Sequence, residues 1–341
     1  MGKASHALRG KLLRLYLAHI FTPVRSSKPL PLLAFLALVG LSNSLNAQYF
    51  RDSNYWKTHR RQISLGIGIS NFLGELGGRD QIGSPFVWDL EMSQTKPAIS
   101  VTYRYFLAKR LVLRGGGAYG VLAGNDNLTK EVFRNNRNLS FKSNIVEGQL
   151  GLEFQVTEEL PGHIYDLRGV KGMTPSRLGT YVFAGISVFH FKPQAQFNGG
   201  WVDLQPLHTE GQGLPNGPEN YKLTQIGIPM GVGIRKGLSK RTSVGLELQY
   251  TKTFTDYIDD VSGEYYDPVL LEEAYGPVSA YLSDPSLGAV PGQTDVGAQR
   301  GYSDHNDGYL FLKAQVHYKL FKYRSSNKNY RARIHRQKIV F

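Results

Sequence analysis

The densest set of chemically capable side chains is the stretch "TFTDYIDDVSGEYYD" (253–267), with four aspartates and one glutamate among three tyrosines. Carboxylates at this density are the donors a hard cation takes. A calcium loop of the EF-hand type, however, needs oxygens at alternate positions and a glycine at the sixth. Asp256, Asp259, Asp260, Glu264 and Asp267 do not keep that spacing, which leaves only irregular calcium binding open. "GGGAYG" (115–120) spells G-x-G-x-x-G through Gly115, Gly117 and Gly120, but "VLAGNDN" after it is no helix start and no βαβ unit surrounds it. Histidines 163, 190, 208, 305 and 317 show no paired ligand spacing. There is no G-x-S-x-G, and the chain has no cysteine. Ser, His and Asp gathered by loops remain the one route to hydrolysis. The expectation is a non-enzyme, with no catalytic, cofactor or metal residue assigned.

What must position the acidic stretch is more legible. "QISLGIGIS" (62–70) places Ile63, Leu65, Ile67 and Ile69 on one face, and "AISVTYRYF" (98–106), "IGIPMGVGIRK" (226–236), "SVGLELQY" (243–250) and "YLFLKAQVHYKL" (309–320) repeat the alternation. A period of two means strands with one apolar and one polar face. "LVLRGGGAYGVLA" (111–123), "SNIVEGQLGLEFQV" (143–156) and "TYVFAGISVFHF" (180–191) complete a set of eight. The second of these changes its apolar face near Asn144–Ile145, which predicts a bulge there; the third is apolar on both faces.

Short links such as "LAKR" (107–110) and "GLSKRT" (237–242) alternate with long ones, the last exceeding fifty residues, with a medium-sized exception at 157–179. This is the pattern of an eight-stranded antiparallel up-and-down transmembrane β-barrel of the outer-membrane type, with short periplasmic turns, long outer loops and both termini periplasmic. A soluble β-sandwich also explains alternation. Two features favour the barrel. The polar faces carry ions of both signs, Arg104, Arg114, Glu147, Glu153, Arg235, Glu247 and Lys313, which suit a small barrel's lumen. Aromatic residues at strand ends (Tyr103, Tyr105, Phe106, Tyr119, Phe189, Phe191, Tyr250, Phe254, Tyr309, Phe311, Tyr318, Phe321) read as interfacial girdles. Eight strands leave an interior that side chains fill, so a plug rather than a pore is expected.

The ends divide from the body by charge. Residues 1–47 combine six basic residues, an apolar run "LPLLAFLALVGL" (30–41) and "SNSLNA", the layout of a secretory signal peptide. Residues 322–341 carry seven cations and no acid. The formal charge of +13 therefore sits at the ends, and residues 48–321, assigned to the barrel, are balanced. That argues against nucleic acid as a partner, and no small-molecule substrate is implied.

The acidic stretch also resembles a fingerprint of the PorG-like outer-membrane barrels of the type IX secretion system. The fingerprint residues are Thr255, Asp256, Tyr257, Asp259, Asp260, Ser262, Gly263, Tyr266 and Asp267. "SNFLGELGG" (70–78), "NRNLSFKSNIVEGQLGLEF" (136–154), "YVFAGISVFHFKPQAQ" (181–196), "LQPLHTEGQG" (204–213) and "QIGIPMGVGIR" (225–235) fit in the same order. The insertion at 157–179 and the basic tail depart from the pattern. The resemblance implies a structural, non-catalytic secretion component in outer-membrane lipid. Its implied partner is a periplasmic ring of a lipoprotein and a second subunit. The tail, through Arg324, Arg331, Arg333, Arg336 and Lys338, is a candidate contact for such a partner. The alternative is a small outer-membrane barrel with loop-mediated ligand binding or adhesion, unrelated to secretion.

Overall fold

A computed structural model describes residues 55–74, 76, 94–129, 131–159, 163–167, 170–174, 177–239, 241–303 and 305–320. The expected leader (1–47) and tail (322–341) lie outside these residues. A short helix, α1 (Tyr55–Thr58), precedes eleven strands: β1 (Arg61–Leu73), β2 (Lys96–Phe106), β3 (Leu111–Asn125), β4 (Ser140–Thr157), β5 (His163–Leu167), β6 (Val170–Thr174), β7 (Gly179–Phe197), β8 (Gly200–Asp203), β9 (Thr224–Gly237), β10 (Thr242–Thr253) and β11 (Gly308–Leu320). Helix α2 (Val132–Arg137) lies between β3 and β4, and α3 (Pro268–Tyr275) and α4 (Pro277–Ser283) lie between β10 and β11.

Eight of the strands form the wall: β1, β2, β3, β4, β7, β9, β10 and β11. Each pairs antiparallel with the next, β4 pairs with β7, and β11 returns to β1 with Arg61 opposite Leu320. The ring is closed and up-and-down, as the alternating links imply. Closure leaves no strand edge, so the wall's backbone groups find partners without water. Four long connections leave from one end. The two tight turns, the wall's first and last residues and the β5–β6 hairpin of the medium-sized link lie at the other.

Within the wall, even and odd positions separate cleanly. Ile67 is 71% exposed and Ile186 69%, with Leu65, Val101, Leu150, Val188, Ile226 and Val316 also turned outward. On β4 the outward apolar run extends from Val146 to Val156. Ten steps of ~3.4 Å at a tilt of ~40° give about 26 Å, close to the ~25 Å apolar band of outer-membrane barrels.

Beyond that band, toward the long loops, the polarity of the wall inverts. Outward positions become Asn144 and Lys142 on β4 and His190, Lys192 and Gln194 on β7, with Asn144 opposite Lys192. Inward positions at the same level become Phe141, Ile145, Phe189 and Phe191, all buried. This corrects two expectations. The apolar residues of β4 change face near Asn144–Ile145 because their surroundings change, not because of a bulge. Pairing there is continuous, and the register shift lies between Gln155 and Thr157. Likewise Phe189, Phe191, Tyr309 and Phe311 are not girdle residues. They point inward and form a core under the loops with Phe72, Leu122, Leu204, Ile258, Val261 and Leu282. Tyr103, Tyr119, Phe254 and Tyr318 do face outward.

A charge placed in the middle of the apolar band should be costly only there. Ile67→Arg is expected to lower the stability of the barrel refolded into lipid vesicles by about 2–4 kcal/mol, read from urea titration. Gln196→Arg, beyond the band, should change it by less than about 1 kcal/mol.

Candidate functional site

The lumen and the loop end each concentrate charge. In the lumen, strands β2, β3, β4, β9, β10 and β11 project Arg104, Arg114, Glu147, Glu153, Arg235, Glu247 and Lys313 inward, and all seven are at most 2% exposed. Glu247 is the hub. It takes Arg104 at 3.0 Å, both terminal nitrogens of Arg114 at 3.1 and 3.2 Å, Lys313 at 3.1 Å and the Tyr181 hydroxyl at 2.8 Å. Glu153 takes Arg104 at 2.7 Å and lies 3.6 Å from Arg235. Gln249 links Lys313, at 2.7 Å, to Glu147, at 3.1 Å. One strand, β9, makes room for this set by lacking bulk at two inward positions. A Cβ on Gly231 would meet the Phe183 ring, and one on Gly233 the Tyr181 ring. Arg114 in turn stacks on Phe183, 3.5 Å from the ring centre. Side chains reach across the barrel and tie opposite walls together, an arrangement suited to sealing rather than conduction.

The loop end is a folded cap. The acidic stretch 253–267 is its centre, and most of it is buried. Asp260, at φ 66°, accepts hydrogen bonds from Thr209 (2.6 Å) and from the Tyr221 hydroxyl. Asp259 accepts from the Val261 amide at 3.1 Å, closing a turn, and Asp267 caps α3 through the Val269 amide at 2.9 Å. Thr255 accepts from the Tyr257 amide, and its carbonyl receives the Asp307 amide. Asp256, 6% exposed, is buried in the same cap. The Ser262 and Gly263 amides donate to Glu210, and the Tyr266 hydroxyl donates to the Pro215 carbonyl at 2.7 Å. Tyr257 is not at a lipid interface; it stacks on Tyr221 with ring centres 4.6 Å apart. Among the described residues, no group of three or more His, Asp or Glu side chains is placed to hold a metal ion. Nor does "GGGAYG" open a helix. It lies within β3, where a Cβ on Gly116 would overlap the Val101 carbonyl of β2.

Several key residues of the cap were not singled out from the sequence. Arg300 is 2% exposed and donates to Glu210 at 2.9 Å and to the carbonyls of Asp260 (2.7 Å) and Ser283 (3.2 Å). Its own carbonyl accepts from Arg137, which holds Asp126 through two bonds of 2.7 and 3.2 Å. Three of the four long loops thus meet at Arg300, two at its guanidinium and the third at its carbonyl. The only signal was the lone basic residue in "VGAQRGYSD" (296–304); its partners lie tens of residues away.

Two tests follow from these clusters. Glu247→Ala leaves three buried cations without their shared carboxylate and should cost roughly 3–5 kcal/mol in denaturant stability. Removal of the exposed Lys109–Glu158 pair should cost under about 1 kcal/mol. In the cap, burial pushes the Asp260 carboxyl up to about 6, against the opposing pull of Arg300. The folded protein then holds a proton between about pH 4 and 6 that the unfolded chain has released, so the stability contributed by this group falls as pH rises through that window. Near-ultraviolet circular dichroism melts should show a less stable cap at pH 7.5 than at pH 5, and Asp260→Asn should flatten the difference.

Comparison with known proteins finds likenesses at low identity. The N-terminal β-barrel domain of Pseudomonas aeruginosa OprF is 8% identical, covering 77% of this chain and 98% of that one, with a TM-score of 0.32. Ail, the attachment invasion locus protein of Yersinia pestis, solved with the heparin analogue sucrose octasulfate, is 9% identical over 77% and 99%, TM-score 0.33. OprG of P. aeruginosa is 9% identical over 77% and 98%, TM-score 0.34. The barrel itself is established by its own ladder of pairings. No curated protein sequence matches the chain. A family described as "Domain of unknown function (DUF6089)" matches residues 49–267, from before β1 to the last fingerprint aspartate, and the chain belongs to that family.

Proposed function

We propose that this protein is a non-enzymatic outer-membrane barrel of the type IX protein secretion machinery, which acts as a membrane-embedded scaffold and associates with the periplasmic ring. The observation that carries this reading is the series of PorG-like stretches, in family order, ending in 253–267. The geometry supports a scaffold. The fingerprint carboxylates cap turns, hold a helix and accept from neighbouring loops. The lumen is filled by its own ion pairs. An outward apolar band of about 26 Å supports insertion in the outer membrane, where closed barrels satisfy the backbone without water.

In this reading the long loops face outward and the tight turns face the periplasm. The wall's last strand ends beside its first at the turn end. The last described residue, Leu320, lies on the side where the ring would stand, and the cationic tail is the segment proposed to contact it. Its attraction to an acidic surface would act over no more than ~8–10 Å at physiological salt.

The test is recovery of the protein in mild detergent after cross-linking in the cell. The ring lipoprotein and its partner subunit are expected to co-purify, and deletion of residues 324–341 should weaken both that recovery and secretion. Full secretion from a knockout strain, with no ring subunit cross-linked, would overturn the assignment in favour of a barrel unrelated to secretion.

A further inference from the structure

The cap carries a feature that the scaffold role leaves unused. A cleft of about 1210 Å³ opens between 214–218 on one side and 263–274 and 296–303 on the other. Its walls are Leu214, Pro215, Pro218, Leu270 and three tyrosines, and Glu264, Asp267 and Glu273 stand around it. Among the described residues, no lysine, arginine or histidine lines it.

The cleft is built rather than collapsed. Tyr266 is tied to Pro215 at 2.7 Å and Tyr275 to the Gln212 carbonyl at 3.1 Å, so the two walls are bound to each other. Asp267 fixes the start of α3, which presents Leu270 and Glu273. Beneath it, residues 263–265 and 297–301 run antiparallel, with the Tyr265 amide on the Ala298 carbonyl and the Gly297 amide on the Tyr265 carbonyl. Tyr265 is 3% exposed, and its hydroxyl is without a hydrogen-bond partner among the described residues. A buried hydroxyl in that condition lacks the bond that usually offsets its burial.

We infer that this cleft binds an extended cationic polypeptide segment. Its volume exceeds the ~300–1,000 Å³ that enclose a drug-sized ligand, which favours a stretch of chain over a small molecule. Carboxylates of one sign around an apolar floor match a segment whose basic side chains alternate with small ones. Tyrosine faces accept guanidinium groups as well as apolar stems. Other occupants with the same charge, a free polyamine or a divalent cation, would use the carboxylates without the tyrosine and proline walls.

This inference does not depend on the secretion assignment. A cleft that binds while the ring is absent, or a ring that binds while the cleft does not, separates the two.

The experiment uses the full mature chain in detergent and a fluorescent ten-residue peptide alternating arginine with glycine and serine. The probes for comparison are its glutamate counterpart, spermine and calcium. Anisotropy titrations should show the arginine peptide binding at least tenfold more tightly than the glutamate peptide, and more weakly as salt is raised. Glu264→Gln and Glu273→Gln, both exposed side chains, should each weaken it about three- to tenfold. Glu158→Gln, at the opposite end of the barrel, should leave it unchanged. Equal binding of the two peptides, indifference to Glu264→Gln and Glu273→Gln, or full competition by spermine or calcium at equal charge would overturn the inference.

Discussion

Hydrocarbon offers no hydrogen bonds, so neither an unpaired backbone group nor a charge can face it without a cost of several kcal/mol. Much else in this molecule follows from that constraint. It requires that β4 meet β7 and β11 meet β1, because an open edge would leave a row of amides unsatisfied. It sends apolar side chains outward through the band and leaves the polar face of each strand to the lumen. It ends where lipid ends. Past Asn144 and Lys192 the outer surface can be polar, and the interior reverts to the arrangement of a water-soluble protein, with Phe141, Ile145, Phe189 and Phe191 packed under loops.

The lumen shows how the enclosed polar faces are satisfied. A buried ion pair seldom beats a well-packed apolar pair in stability. An apolar lumen, however, would make both faces of every strand alike and leave the register free to slip by one residue. Ions inside and aliphatics outside distinguish the faces. The strand β7 demonstrates the rule by its departure from it, with Tyr181 and Phe183 inside and Val182 and Ala184 outside. Its orientation is held instead by specific contacts, the Tyr181 hydroxyl on Glu247 and the Arg114 guanidinium over Phe183. Missing side chains at Gly231 and Gly233 give those rings their space.

The number and order of the wall strands and most of their orientations were legible in the sequence, because a two-residue period survives wherever one face meets lipid and the other a polar lumen; the short strands β5, β6 and β8 in the links carry no such period and were not. The same argument explains where legibility failed. The switch of apolar residues near Asn144–Ile145 looked like a bulge because a single strand crosses two environments. Phe189, Phe191, Tyr309 and Phe311 looked like girdle residues because proximity to a strand end does not reveal which side the ring takes. In the cap no period exists to read. Arg300, Glu210, Asp260 and Tyr221 are brought together by loops separated by tens of residues, and nothing local marks them as partners. The helices α3 and α4 were missed likewise within a link treated only as long, although Asp267 followed by Pro268 is an N-cap with proline at the first helical position.

Lumen and cap are held by similar chemistry yet are separated by the aromatic layer of Phe189, Phe191, Tyr309 and Phe311. One carboxylate hub, Glu247, ties strands across the barrel; one guanidinium hub, Arg300, ties loops above it. Among the described residues the two hubs share no direct bond, while Gln249, Thr251 and Thr253 on the inner face of β10 run past the aromatic layer from the lumen set to the cap. The ions of the lumen are already paired with one another. What such a molecule can offer a partner is therefore a surface at each end. The cap's rigid cleft and the turn end, beside which the wall's first and last strands finish, are the two surfaces the architecture holds in place.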